Sequence, residues 1–116
     1  MAGTGKKVSS PHDAACVVDH VQAGFRVLEG RWKLVIVYQL FRHTSLRFSE
    51  LEKLIPAVTQ KMLIQQLRAL EADGVVARTA HPVVPPRVEY RLTEEGLGLR
   101  EALNALNRWA RAHHRA

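Results

Sequence analysis

The sequence predicts an α+β fold, mostly α, and three observations carry that expectation. A short capped helix is followed at once by a longer one over residues 49–73. Two β-type runs come next, at 75–81 and 87–93, and apolar stripes at helical spacing occupy both ends of the chain. A helix-turn-helix followed by a β-hairpin with a projecting loop is a winged helix. The expected architecture is therefore a winged helix-turn-helix with a two-stranded β-wing and N- and C-terminal dimerisation helices. Residues 1–9 are small, polar and basic and read as a flexible N-terminal arm. Residues 10–112 read as a single domain, with the helix-turn-helix at 49–73, the wing at 75–93 and a C-terminal helix at 94–112.

Ser10, Pro11 and Asp13 mark the first helix start: Ser10 can cap, Pro11 suits the first helical position, and Asp13 stands where a capping-box acid helps. Behind them Val17, Val21, Phe25 and Leu28 recur at helical spacing, and Glu29-Gly30 breaks the segment. The next run, GRWKLVIVYQLFR, is almost continuously apolar. Its β-branched centre suits a strand and its length suits a buried helix; the pattern favours the helix without deciding. His43-Thr44-Ser45 reads as a loop, and Leu46-Arg47-Phe48 could form a very short strand.

Ser49-Glu50-Leu51-Glu52 has capping-box spacing, Leu51, Leu54 and Ile55 form a stripe, and Pro56 stops the helix. Thr59 offers the next N-cap, with Val58 and Leu63 placed as a hydrophobic staple. That helix runs to Ala72-Asp73, where Gly74 is a natural C′ residue. The spacing alone suits a helix-turn-helix and an ordinary helical hairpin equally, and the β-runs break the tie. Val88, Tyr90 and Leu92 alternate with Arg87, Glu89 and Arg91, the period of a half-buried strand, and Pro82-Val83-Val84-Pro85-Pro86 stiffens the connection. Thr93 caps a final helix with Glu94 and Glu95 in its first turn, and Leu99, Leu103, Leu106 and Ala110 make its stripe beside Trp109.

Composition bounds the function. The chain has 116 residues, 47% apolar and 24% charged, with a formal charge of +6, which favours polyanionic partners without naming one. Residues 1–45 carry six basic and three acidic groups, 46–92 seven and five, and 93–116 four and three, so the surplus is spread. One cysteine, Cys16, excludes an intramolecular disulfide framework. The longest unbroken apolar run, Leu34 to Tyr38, is too short to span a bilayer. Nothing reads as a signal peptide, and a cytoplasmic, nucleoid-associated protein without a membrane partner is expected. No phosphate-binding loop, H-E-x-x-H, G-x-S-x-G or C-x-x-C pattern occurs, so catalysis is not expected, and no cofactor or metal is assigned.

The stretches GRWKLVIVYQLF, RFSELEKLIP, TQKMLIQQLRALEADGVVART, PPRVEYRLTEEG and LNALNRWA together resemble the HxlR-type branch of the MarR-like winged-helix regulators. The resemblance covers about residues 28–110. It implies a bacterial or archaeal transcription factor, dimeric through its terminal helices, often tied to electrophile, aldehyde or redox stress, and it makes residues 31–42 a helix. A winged helix that serves protein interaction without specific DNA binding is the alternative.

At about 100° per residue, Leu63, Leu67 and Leu70 face the core of the second motif helix, while Lys61, Gln65 and Arg68 face away with Ile64 at the edge. Double-stranded DNA is the expected partner. Thr59 and Gln60 open the helix toward a phosphate. Gln65 suits an adenine edge, Lys61 or Arg68 a guanine, and Ile64 a thymine methyl. On the wing, Arg87 and His81 flank the proline loop and suit a narrow minor groove or its phosphate walls. Arg78 or Arg91 could do the same or pair with Glu89. Val83 and Val84 are expected to pack onto a partner or the domain edge, and Arg47 and Ser49 are further phosphate candidates. A small-molecule effector site is expected near the dimer interface, lined by the first and last helices.

In relatives implied by the resemblance, a redox-sensing cysteine stands about thirteen residues before the tryptophan matching Trp32. Asp19 holds that position here, and Cys16 lies one turn earlier, so Cys16 is a candidate redox residue whose default reading is a small buried thiol. His12, Cys16 and His20 at i, i+4 and i+8 share a helical face whose ligand types suit zinc or copper.

Overall fold

The computed structural model describes residues 11–113. The expected N-terminal arm and the Ser10 cap lie outside the described residues, as do the side chains of His12 and Asp13. The order is α1 (Pro11–Leu28), α2 (Lys33–Arg42), β1 (Leu46–Arg47), α3 (Phe48–Leu54), α4 (Gln60–Ala72), β2 (Val76–His81), β3 (Arg87–Leu92), α5 (Glu94–Leu97) and α6 (Leu99–His113). The apolar run after Trp32 is a helix, α2, which buries Ile36, Val37 and Leu40.

The sheet has three strands in the order β1-β3-β2, all antiparallel. The wing hairpin β2–β3 is two-stranded, as expected, and Leu46↔Tyr90 and Arg47↔Glu89 add β1 to its other edge. This pairing ties the start of α3 to the wing across more than forty residues of chain. Tyr90 and Leu92 are buried on one face of β3 and Arg91 is exposed on the other.

The core joins α2, α3 and α4 to the sheet. Ile36, Val37, Leu51, Leu63 and Leu70 are wholly buried, with Leu67 beside them. Burying each such side chain contributes roughly 1.5–3 kcal/mol against unfolding. Thr59 caps α4, its hydroxyl accepting from the Met62 N–H at 3.1 Å, while Val58 and Leu63 both pack in the core as a staple requires. The helix ends in a Schellman arrangement: the Gly74 N–H donates to the Glu71 carbonyl at 2.9 Å and the Val75 N–H to Leu70 at 3.0 Å. Gly74 takes φ of 75°, the left-handed conformation that glycine adopts without strain.

Three expectations need correction. The capping box of α3 lies two residues earlier than Ser49–Glu52: the Glu50 carboxylate accepts from the Arg47 N–H at 2.7 Å. Ser49 therefore sits inside the first turn, and the box is half a box, because a guanidinium has no acceptor to offer in return. Leu54 leaves the expected stripe and stands 40% exposed, since α3 turns only Leu51 and then Ile55 inward. Finally, residues 94–112 form two helices, α5 and α6, divided at Gly98. Gly96 explains how closely α5 is held, since a Cβ there would fall 2.2 Å from the Val75 carbonyl oxygen. Thr93 locks the same corner. Its hydroxyl donates to the Gly74 carbonyl at 2.6 Å and accepts from the Gly96 N–H at 3.0 Å.

The terminal helices stand apart. Described residues of α1 are exposed up to Arg26, and α6 contains no buried residue. The Cα radius of gyration is 18.4 Å and the extents are 68 × 36 × 23 Å, against about 13 Å for a compact chain of this length.

Candidate nucleic-acid interface

Helix α4 presents Gln60, Lys61, Gln65 and Arg68 to solvent while Leu63, Leu67 and Leu70 hold its other side in the core. Packing fixes the helix rotation, so the exposed residues form one polar face with hydrogen-bonding groups of the kind that read base edges. Ile64 is half-buried at the margin of that face. Thr59 is committed as cap, its hydroxyl engaged with the Met62 N–H.

Beside α4 the wing makes two recesses. One, of about 480 Å³, is lined by Arg47 and Ser49 on one side and by Val83 and Arg87 of the wing on the other. Three of the sequence-assigned contacts are thus brought together although they are about forty residues apart. The other, of about 630 Å³, is a cleft between α4 and the hairpin, lined by Gln60, Ile64, Arg68, Arg78, Glu71 and Tyr90 among others. Arg78, which the sequence left undecided, lines this cleft together with residues of α4.

The charge pairing on the wing closes one of the two alternatives left open for Arg78 and Arg91. Glu89 pairs with neither Arg78 nor Arg91. Its carboxylate lies 2.7 Å from His81 Nε2 and 3.9 Å from Arg87 Nη1. Strand register is the cause: Glu89 stands opposite Thr79, and Arg78 stands opposite Tyr90, so Arg78 and Glu89 project from opposite faces. Arg91 instead donates to the Leu92 carbonyl at 3.5 Å. His81 is therefore tied to Glu89, and Arg87, 40% exposed, is held more loosely. At the wing tip Val84 is 99% exposed, so of the two expected covers, a partner or the domain edge, its own domain supplies none. The loop carries it outward between Pro82 and Pro85, away from the sheet that holds Val88.

Cys16 is exposed, not buried, because α1 has no neighbour along that stretch. Its sulfur lies 3.9 Å from His20 Nδ1. The side chain of His12, third member of that face, is outside the described residues, and among the described residues no group of three His, Cys, Asp or Glu could hold a metal. At the other end His113 stacks on Trp109, with ring centroids 4.6 Å apart. An apolar groove of about 500 Å³ runs between α2 and α6, where Leu34, Val35, Tyr38, Phe41, Leu103 and Leu106 meet. Its lining comes from α2 and α6 and includes no described residue of α1. No helix among the described residues is long and apolar enough to cross a membrane.

Comparison with known proteins agrees with this geometry. The family model described as HxlR-like helix-turn-helix matches residues 27–116. The uncharacterised HTH-type transcriptional regulator YtcD of Bacillus subtilis is 50% identical over 93 residues, 80% of this chain and 73% of that protein. A crystal structure of ytcD superposes with a TM-score of 0.75, covering 80% of this chain and 94% of that one. The reduced form of the transcriptional regulator YodB from B. subtilis is 30% identical with a TM-score of 0.77, covering 92% of this chain and 96% of its own. The oxidised form of the redox regulator HypR is 38% identical with a TM-score of 0.72, covering 83% and 98%.

Proposed function

The chain belongs to the HxlR-like helix-turn-helix family of transcriptional regulators, and on that premise we propose that it is a homodimeric, sequence-specific DNA-binding regulator acting on a pseudo-palindromic operator. One observation carries the reading: α4 is anchored by three core leucines and leaves Lys61, Gln65 and Arg68 on a single exposed face next to a cationic wing. Two such helices, related by a two-fold axis, would enter successive major grooves roughly 34 Å apart. Partner chemistry follows from the same arrangement. Gln65, in mid-helix, offers the donor–acceptor pair that matches adenine, and Lys61 and Arg68 suit guanine or phosphate. Arg47, Ser49 and Arg87 are gathered under the wing loop, where backbone contacts position without reading sequence.

The dimer is supported by apolar surface left open on the terminal helices: Val17, Val21 and Phe25 on α1 and Leu106 and Trp109 on α6. A two-fold, isologous contact would cover both faces. A response to a redox, aldehyde or other small-molecule signal is part of the proposal. Solved relatives include the redox regulator HypR and diamide-treated and quinone-bound forms of YodB, and the groove between α2 and α6 is where an apolar effector fits. A cytoplasmic, nucleoid-associated location follows from the same function.

Selection of an operator from a random-duplex pool, followed by measured affinities, tests the reading. Gln65→Ala should cost about 1–3 kcal/mol per half-site on the selected operator and little on random duplex. Arg87→Ala should weaken both DNAs together and lower the slope of log affinity against log salt by about one unit per lost contact. Equal losses on both DNAs for Gln65→Ala would show that the reading face is assigned wrongly.

A further inference from the structure

We infer that the recess between the C-terminal end of α2, the end of β3 and the start of α6 is a binding site for a small organic phosphate, held by Arg42, Arg91 and Arg100. The recess measures about 450 Å³. No residue of α3 or α4 lines it, and it shares only Phe41 with the apolar groove between α2 and α6. Strand register keeps it off the reading side of the molecule. Arg91 stands opposite Ala77, on the hairpin face that carries Glu89, while Arg78 and Tyr90 occupy the face turned to α4. The site therefore goes beyond the DNA-binding reading and does not depend on it.

Charge carries the argument. Three guanidiniums, from α2, β3 and α6, line the recess with His43 and Thr44, and no carboxylate does. Among the described residues none of the three arginines forms an ion pair. Glu101 lines the neighbouring recess with Arg100 but does not pair with it. Like charges gathered without a counter-ion repel one another, and a bound anion removes that repulsion. The C-terminal end of α2 opposes an anion with about half a negative charge, which three full positive charges outweigh. Arg100 is already positioned. Its guanidinium lies over the Phe41 ring, 5.2 Å from the centroid, and Nη2 donates to the Phe41 carbonyl at 3.2 Å. A side chain held in this way loses little freedom on binding, and its remaining N–H donors stay open to a ligand. A phosphate monoester matches the set better than a carboxylate. It brings nearly two negative charges and three acceptor oxygens, which paired guanidinium N–H groups accommodate. Phe41 and the exposed Leu97 offer apolar surface to the organic group. An occupied site would bridge the strand of the wing to the start of α6.

Isothermal titration of the full chain with phenyl phosphate at low ionic strength tests the site. Arg91→Gln and Arg100→Gln should each weaken binding about tenfold, the value of one charge-assisted hydrogen bond. Arg100→Lys keeps the charge but loses the planar fork and the stack on Phe41, and should fall between wild type and Arg100→Gln. Arg78→Gln removes the same charge from the α4 side of the hairpin and should change nothing. Phenyl sulfate keeps the ring with one charge, and inorganic phosphate keeps the charge without the ring; both should bind more weakly than phenyl phosphate. Arg91 is exposed, so its variant decides the matter if Arg100→Gln loses the link to α2 and folds poorly. The proposal is overturned if phenyl phosphate does not bind, if Arg91→Gln binds it as wild type does, or if Arg78→Gln loses as much. Equal affinity for phenyl sulfate or for inorganic phosphate overturns the assignment of an organic phosphate. A salt titration on a mixed-sequence duplex guards the remaining alternative. Arg91→Gln should leave its slope unchanged, and a slope lowered by about one unit would make the recess a seat for the DNA backbone instead.

Discussion

The middle of the chain and its two ends handle apolar residues in opposite ways. Between α2 and β3 the elements of one chain build a continuous core: Leu51, Leu63 and Leu70 are 0% exposed. On α1 and α6, Phe25 is 62% and Trp109 60% exposed, although their sequence stripes are no less regular. Helical periodicity therefore announces a face that wants burial and does not say what buries it. In the middle, neighbouring elements of the same chain supply the cover. At the ends only Val27, Leu28, Leu99 and Leu103 reach the core among the described residues, and isolated helices of this length gain most of their stability from packing. The helix-turn-helix is packed within one chain, while the exposed apolar stripes of the terminal helices are the surface on which the proposed dimer rests.

The largest effect that can separate the two regions lies in the core. Leu67→Ala removes a side chain that is 1% exposed at the centre of α4, and should lower unfolding free energy by about 2–5 kcal/mol in urea denaturation. A loss below 1 kcal/mol would mean that the middle is packed more loosely than its burial indicates. Next comes Phe25→Asp with Trp109→Ala. These should dissociate the dimer, each weakening association by about 2–4 kcal/mol if it sits in the centre of the interface, while circular dichroism retains the middle helices. Sedimentation that shows a wild-type monomer at micromolar concentration, or a double variant still dimeric, would break the contrast between the regions. A smaller effect is expected at the cap of the reading helix. Thr59→Ala removes the acceptor for the Met62 N–H and should cost about 0.5–2 kcal/mol of stability, with affinity for random and selected DNA reduced by a common factor.

Local chemistry made much of the middle legible. Thr59, the Val58–Leu63 staple and Gly74 each act within a few residues of themselves, so reading them needs no tertiary knowledge. The exposed trio Lys61, Gln65 and Arg68 followed from helix geometry once Leu63, Leu67 and Leu70 were turned inward. Long-range partners were not legible. β1 is two residues long, and only its pairing with Tyr90 and Glu89 makes it a strand. The choice of His81 and Arg87 as partners for Glu89 depends on hairpin register, which a five-residue proline loop does not announce. The start of α3 was ambiguous for a different reason: Glu50 and Glu52 both offer a carboxylate for capping, and the structure uses Glu50 on the Arg47 N–H. Gly98 separates α5 from α6 while keeping helical angles, φ −62° and ψ −21°, so no turn signal marked the break.

The smallest effect is expected at Cys16, and it asks whether the uncovered N-terminal helix carries a thiol switch. Exposure alone would let an oxidant reach the sulfur, and His20 lies 3.9 Å away. Against a switch stands the composition: the chain has one cysteine, so no second thiol of the same chain can resolve an oxidised sulfur. Asp19 also occupies the place where the family resemblance puts the sensing thiol. A disulfide between two copies would require both Cys16 Cα atoms within about 7 Å, a demand on the dimer that burial of Phe25 and Trp109 does not impose. Cys16→Ser should therefore leave duplex affinity, and its response to diamide or an aldehyde, unchanged within error. If diamide releases the wild-type protein from DNA and spares the variant, the sensor is Cys16 after all. A non-reducing gel of the treated wild type would then show whether it works through a disulfide between the two copies or through an adduct on one.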